Sequence, residues 1–226
     1  MFRARETRQL VSLTLALAAL ALAGCIFSPA HVDNKIKIKP YVPIVDEKTL
    51  ISNLEAAYQR RDYDKFKTLF SNPLTPIPAQ PQYQFILSDP TALETSWGYA
   101  EEMRIHRRMF RPQDPLPGKT PVEPALWLQS VDIHLTLQTE FVERADLYRS
   151  PSNPEGLDSD RWRASEGVYE TSVFFQLLGD TDYIVNGHAN YVVIEDKSKS
   201  TGDDGKWLIY RWEDLLHKPS AAKPAV

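Results

Sequence analysis

Two residues one helical turn apart, Glu102 and His106, are the best candidates for chemistry in this chain. A carboxylic acid and an imidazole at i and i+4 share one helix face, and together they can move a proton. The helix predicted around them carries a stripe of Tyr99, Met103, His106 and Phe110. His106 thus falls on an apolar face, where burial tunes the pKa of an ionisable group. The same spacing also suits a satisfied core or edge histidine beside a helix-surface glutamate, so the pair admits a purely structural use. Glu101, Arg104 and Arg108 fall together on another face, most simply a solvated ion-pair surface.

Other reactive residue types do not converge. His134 and His188 fall on the polar sides of predicted strands, with Asp132, Asn186 and Asn190 near them in sequence. A metal site needs three or four converging ligands, and no ligand spacing here supplies them, so no metal is expected. No glycine-rich phosphate loop and no serine nucleophile elbow occurs, so no cofactor is expected. Net charge is -4, with 42% hydrophobic and 25% charged residues, which is ordinary for a globular domain. Neither a polyanion-binding field nor an aromatic-basic pattern is present, which argues against nucleic acid.

The elements that must position Glu102 and His106 are legible from polarity patterns. Three segments near the C-terminus, 164–177, 183–195 and 206–213, alternate and are rich in aromatic and branched residues. Gly179-Asp180 and Asp203-Asp204-Gly205 separate them with turn chemistry, so adjacent antiparallel strands are expected. Residues 125–143 form a further strand, with Val131, Ile133, Leu135 and Leu137 on one side and a break near Thr139. Upstream, Asp46 caps a helix running to Arg60, with Leu50, Ile51, Leu54, Ala57 and Tyr58 on one arc. Asp62 caps a second helix with a stripe of Tyr63, Phe66, Leu69 and Phe70. A short strand is expected at 83–87. Asp89-Pro90 then opens a third helix to Phe110, because proline suits the first helical position. Residues 71–82, 111–124 and 150–161 read as loops.

The N-terminus reads as an address. Arg3, Arg5 and Arg8 precede an apolar run from Leu10 to Ala23, the pattern of a secretory signal. The run ends in Leu22-Ala23-Gly24-Cys25, which resembles the cleavage box of bacterial lipoprotein precursors. That resemblance implies cleavage before Cys25 and a diacylglyceryl group on its sulfur, with an acylated amine. Two or three chains anchor a protein stably where one does not. Ile26, rather than Asp, follows the cysteine and suggests the outer membrane, facing the periplasm. Cys25 is the only cysteine, so no intramolecular disulfide forms. The expected organisation is a signal at 1–24, a lipidated tether at 25–45, a folded domain at 46–216 and a disordered tail at 217–226.

Three helices followed by long antiparallel strands define an α+β domain, with helices packed on one face of a curved, mostly antiparallel sheet. From Asn53-Leu54-Glu55-Ala56-Ala57-Tyr58 through Asp62-Tyr63-Asp64-Lys65-Phe66, and again at Gly205-Lys206-Trp207-Leu208-Ile209-Tyr210-Arg211-Trp212-Glu213-Asp214, the chain resembles the nuclear transport factor 2-like superfamily. The resemblance implies a conical cavity between helices and sheet. Enzymes of that superfamily place carboxylates, tyrosines or a histidine inside it. Gly187 and Ala189, on one face of their strand with Tyr191, leave volume unfilled or mark a bend. Tyr169, Val173 and Phe175 edge the same space from the neighbouring strand, and Met103 and Phe110 either line it or fill it. Three uses follow. The cone binds a small apolar ligand or an envelope protein without catalysis; it houses an isomerase, dehydratase or cyclase using Glu102 and His106; or the domain is a structural spacer.

Overall fold

The computed structural model describes residues 38–74, 80–87, 95–114, 122–178 and 182–215. In chain order the elements are α1 (Glu47–Arg60), α2 (Tyr63–Thr68), β1 (Gln84–Leu87), β2 (Ser96–Gly98), α3 (Tyr99–Phe110), β3 (Leu128–Leu137), β4 (Val142–Glu143), β5 (Trp162–Leu177), β6 (Asp182–Asp196) and β7 (Trp207–Leu215). They form a mixed α+β fold around one seven-stranded sheet of order β2-β1-β7-β6-β5-β3, with β4 paired to β5. Neighbouring strands are antiparallel except β1 and β7, which run parallel. Register shifts at Leu128/Ser130 and Val192/Val193 break the ladder locally, as bulges do where strands bend.

Local chemistry explains the helical end. Asp46 accepts from the Thr49 amide at 2.8 Å, and the Thr49 hydroxyl accepts from the Asp46 amide at 3.1 Å. This reciprocal box satisfies two donors that helix geometry leaves orphaned. Arg61 ends α1 in the left-handed region at φ 52°. Asp62 then restarts the chain by accepting from the Lys65 amide at 2.9 Å. The apolar arc of α1 packs with Phe66 of α2 and with Val131, Ile133, Tyr169, Tyr191 and Val193 of the sheet in one buried cluster. The opposite face of the sheet has its own smaller cluster. There Val192, Ile194 and Leu208 lie under Leu147, Leu157 and Trp162. Burial on both faces explains why Val192-Val193-Ile194 reads as a continuous apolar run rather than an alternation.

Three sequence expectations change. The third helix begins at Tyr99, and Ser96–Gly98 is a strand paired with β1, because Trp97 stacks on Phe85 at 4.2 Å across that pair. Asp89-Pro90 lies outside the described residues. A β1–β2 hairpin therefore separates α3 from the other two helices. The expected strand at 125–143 starts late, after a 3-10 turn at Pro124–Leu126, and resumes at Val142 after a break that includes Thr139. Of the stretch assigned to the tether, residues 38–45 lie against α1. The buried Asn53 side chain accepts from the Val42 amide at 2.9 Å and donates to the Val42 carbonyl at 2.7 Å. Lys39 pairs with the buried carboxylate of Glu55. Cys25, the signal segment and residues 217–226 lie outside the described residues.

An Asn53→Ala variant should loosen residues 38–45 around Val42, since both Val42 backbone groups lose their partner. We expect a loss of about 1–3 kcal/mol in urea denaturation, with faster cleavage at 38–45 by a non-specific protease. Unchanged stability and cleavage would mean that Asn53 does not hold Val42.

Candidate functional site

The start of α3 is set by Gly98, whose extended backbone precedes Tyr99 and places Trp97 against the first turn. The Trp97 indole N–H donates to Oε2 of Glu102. The Glu102 side chain is only 2% exposed, and its Oε1 lies 3.2 Å from Nδ1 of His106. Nδ1 also faces the Glu102 backbone carbonyl at 3.0 Å. A carbonyl only accepts, so Nδ1 carries the proton and Nε2 carries the lone pair. That lone pair accepts from the Tyr58 hydroxyl on α1. The His106 ring stacks on Phe66 at 4.2 Å. Hydrogen bonds thus join Trp97 to the Glu102 carboxylate and His106 to Tyr58, with the Glu102 carboxylate lying beside the imidazole.

Burial decides the charge states. It pushes the Glu102 carboxyl up to about 7, with the Trp97 donor pulling the other way and Glu101 adding to the rise. It pushes the His106 imidazole down to about 4, against the backbone hydrogen bond that favours the cation. Burial, then the nearby Glu102, holds the Tyr58 hydroxyl well above the usual phenol range. At neutral pH His106 is therefore neutral and Glu102 is close to half-ionised.

Glu102 and His106 border a cavity of about 350 Å³ between α3 and the sheet. Ile105 and Met109 complete the helix wall, and Phe85, Trp97 and Trp212 close one side. The floor is formed by β5 and β6, where Gly187 sits opposite Thr171. A Cβ added at Gly187 would meet nothing within 4 Å, so missing side-chain volume leaves the space open. Asp214 of β7 also borders the cavity, and burial raises its carboxyl above the usual range.

Of the residues expected to line a pocket, Val173, Phe175, Gly187 and Ala189 border this cavity together with Glu102 and His106. Met103, Phe110, Tyr169 and Tyr191 do not. Met103 and Phe110 point from α3 into the packing against the other helices, with the Phe110 ring edge-on to Tyr58 and Phe66 at 5.3 and 5.5 Å. Tyr169 and Tyr191 pack edge-on to each other at 5.6 Å, farther along the sheet. His134 and His188 stand on β3 and β6, separated by β5, and do not meet. His134 is exposed and pairs with Asp132 at 3.1 Å. Among the described residues no group of three metal-ligating side chains forms. Trp97, Tyr58 and Asp214 are site residues that sequence reading missed. A tryptophan immediately before Gly98 was the available signal for the first, and the two-residue step from Trp212 for the last.

No protein-family model matches the chain. No curated protein matches it either. Solved structures similar to it include the beta subunit of benzoate 1,2-dioxygenase from Burkholderia mallei, at 9% identity and a TM-score of 0.43, covering 79% of this chain and 93% of that one. Another is a protein from Streptomyces avermitilis, given as a proposed dehydratase of the nuclear transport factor 2-like family, at 9% identity and a TM-score of 0.42, covering 75% and 94%. A third is a nuclear transport factor 2-like superfamily protein from Salmonella enterica serovar Typhimurium, at 12% identity and a TM-score of 0.38, covering 78% and 92%.

The shifted pair predicts an unusual pH profile. Between about 4.5 and 6.5, the ordinary values of the two groups, the folded protein holds one proton on Glu102 and the unfolded chain holds one on His106. Equal proton counts mean that the pair adds no pH dependence there. Glu102→Gln leaves only the depressed His106, so the stability this site contributes should be lost as pH falls from about 6.5 to 4. His106→Asn leaves only the raised Glu102, so stability should be lost as pH rises from about 4.5 to 7. Each slope should approach ~1.4 kcal/mol per pH unit in urea denaturation. Parallel profiles for both variants and wild type would refute the assignment.

Proposed function

We propose that this protein is an envelope lipoprotein, held to the membrane by lipid on Cys25, whose nuclear transport factor 2-like cone binds a small, largely apolar ligand. The carrying observation is the open space above Gly187, inside a cavity of about 350 Å³ walled by Phe85, Trp97, Met109, Val173, Phe175 and Trp212. That size and lining suit a small-molecule site, with a few polar groups to orient the ligand. The Leu22-Ala23-Gly24-Cys25 box supports the anchor, and Ile26 supports the outer membrane facing the periplasm. Among the described residues no helix is long and apolar enough to cross a membrane.

A second reading is favoured by one observation. Glu102 sits near half-ionisation at neutral pH inside the cavity, which suits a general acid or base of an isomerase, dehydratase or cyclase. On that reading Glu102→Gln lowers turnover by about 10²–10⁴-fold while leaving ligand affinity intact. Equal loss of affinity would return Glu102 to a binding role.

Gly187→Trp tests the binding reading, because the new ring fills the floor of the cavity. Mass spectrometry of extracts from the purified full-length chain should find a small apolar molecule with wild type and not with the variant. The neutral dye N-phenyl-1-naphthylamine should likewise bind only wild type. Identical extracts and identical dye binding would overturn the cavity as the ligand site. Absence of any small molecule and of dye binding in both would leave an envelope protein as the partner. A Cys25→Ala variant should leave the membrane fraction, and full retention there would refute the lipid tether.

A further inference from the structure

We infer that the ligand of this cavity is a cation, an apolar amine with one or two rings whose ammonium group lies between Glu102 and Asp214. This inference rests on the small-ligand reading above and names the chemical class that the site would take. The two carboxylates come from different walls. Glu102 projects from α3. Asp214 lies opposite Ala189 in the β6–β7 register, and directly opposite residues of an antiparallel pair share a face of the sheet. Both border the same cavity. Asp214 has no hydrogen-bond or ion-pair partner among the described residues, whereas Glu55, Asp196 and Glu195 are each paired with a lysine or arginine.

The rest of the lining fits the same class. Among the described residues no lysine or arginine borders the cavity. His106 is neutral, and its Nε2 is already used by Tyr58. An anion entering this space would meet two carboxyl groups, with His188 of β6 the one lining side chain besides His106 that could offset it. An ammonium group offers three donors and no acceptor, and the cavity offers acceptors. Besides the carboxylates, the Thr171 hydroxyl oxygen on the floor is buried and has no partner. Trp97, Trp212, Phe85 and Phe175 present aromatic rings, which attract cations across their faces and pack against an apolar body.

Three probes of one shape separate charge from shape: 1-naphthylmethylamine, 1-naphthalenemethanol and 1-naphthoate. Binding to the purified full-length chain can be followed by tryptophan fluorescence, since Trp97 and Trp212 border the site. The amine should bind at least tenfold more tightly than the alcohol, and the carboxylate most weakly. Asp214→Asn and Glu102→Gln should each reduce the preference for amine over alcohol. If the alcohol or the carboxylate binds as tightly as the amine, the cationic class is wrong while the apolar cavity stands. If none of the three binds, the small-ligand reading falls and this inference with it. The wild-type comparison decides the class even where a variant fails to fold.

Discussion

Everything at the site depends on α3 being held off the sheet at both ends. At its start, Trp97 is clamped by stacking on Phe85 and by its hydrogen bond to Glu102. At its end, Phe110 is locked edge-on against Tyr58 and Phe66. Between these clamps the helix faces Gly187 and Ala189, which have almost no side chain to offer. A helix free to settle would close the gap, because interiors tend toward close packing. Pinned at two aromatic contacts, it bridges the gap instead.

The same geometry fixes the electrostatics. Packing His106 against Phe66 and under Tyr58 removes it from water and disfavours its charge. Placing Glu102 one turn earlier brings a carboxylate into that dry environment with one indole donor. One hydrogen bond does not offset the loss of hydration for a full charge, so the acid is pushed toward neutrality. The tautomer of His106 follows from the backbone carbonyl that faces Nδ1, and this turns Tyr58 into a donor committed to Nε2. Tyr58 thus supports the pair and is not free to donate a hydrogen bond to a ligand while His106 remains neutral.

Sequence patterns reveal the body of the fold more readily than its site. The strands β5, β6 and β7 announce themselves because each is a long run rich in aromatic and branched residues, set off from the next by turn chemistry. The first helix does so through its cap and arc. Glu102 and His106 are visible as neighbours because i and i+4 must meet on any helix. Which way that helix is rotated is a tertiary matter. A small rotation separates the face of Glu102, Ile105 and Met109, which borders the cavity, from the face of Met103 and Phe110, which packs on the other helices. Trp97 was obscured because the proline signal at Asp89-Pro90 extends a helix through a segment that β1 instead draws into a strand. Asp214 was obscured because only the pairing of β7 with β6 shows which face it shares.

The central claim is that an apolar cavity holds Glu102 as an acid near half-ionisation. Carbon-13 NMR of the side-chain carboxyls, titrated from pH 3 to 9, reads that group directly when Glu102→Gln supplies the assignment. The account predicts a Glu102 resonance that titrates near 7, and moves lower when an ammonium ligand is added. A resonance that titrates in the ordinary glutamate range would contradict the account, because burial would then not hold the Glu102 carboxyl toward its neutral form.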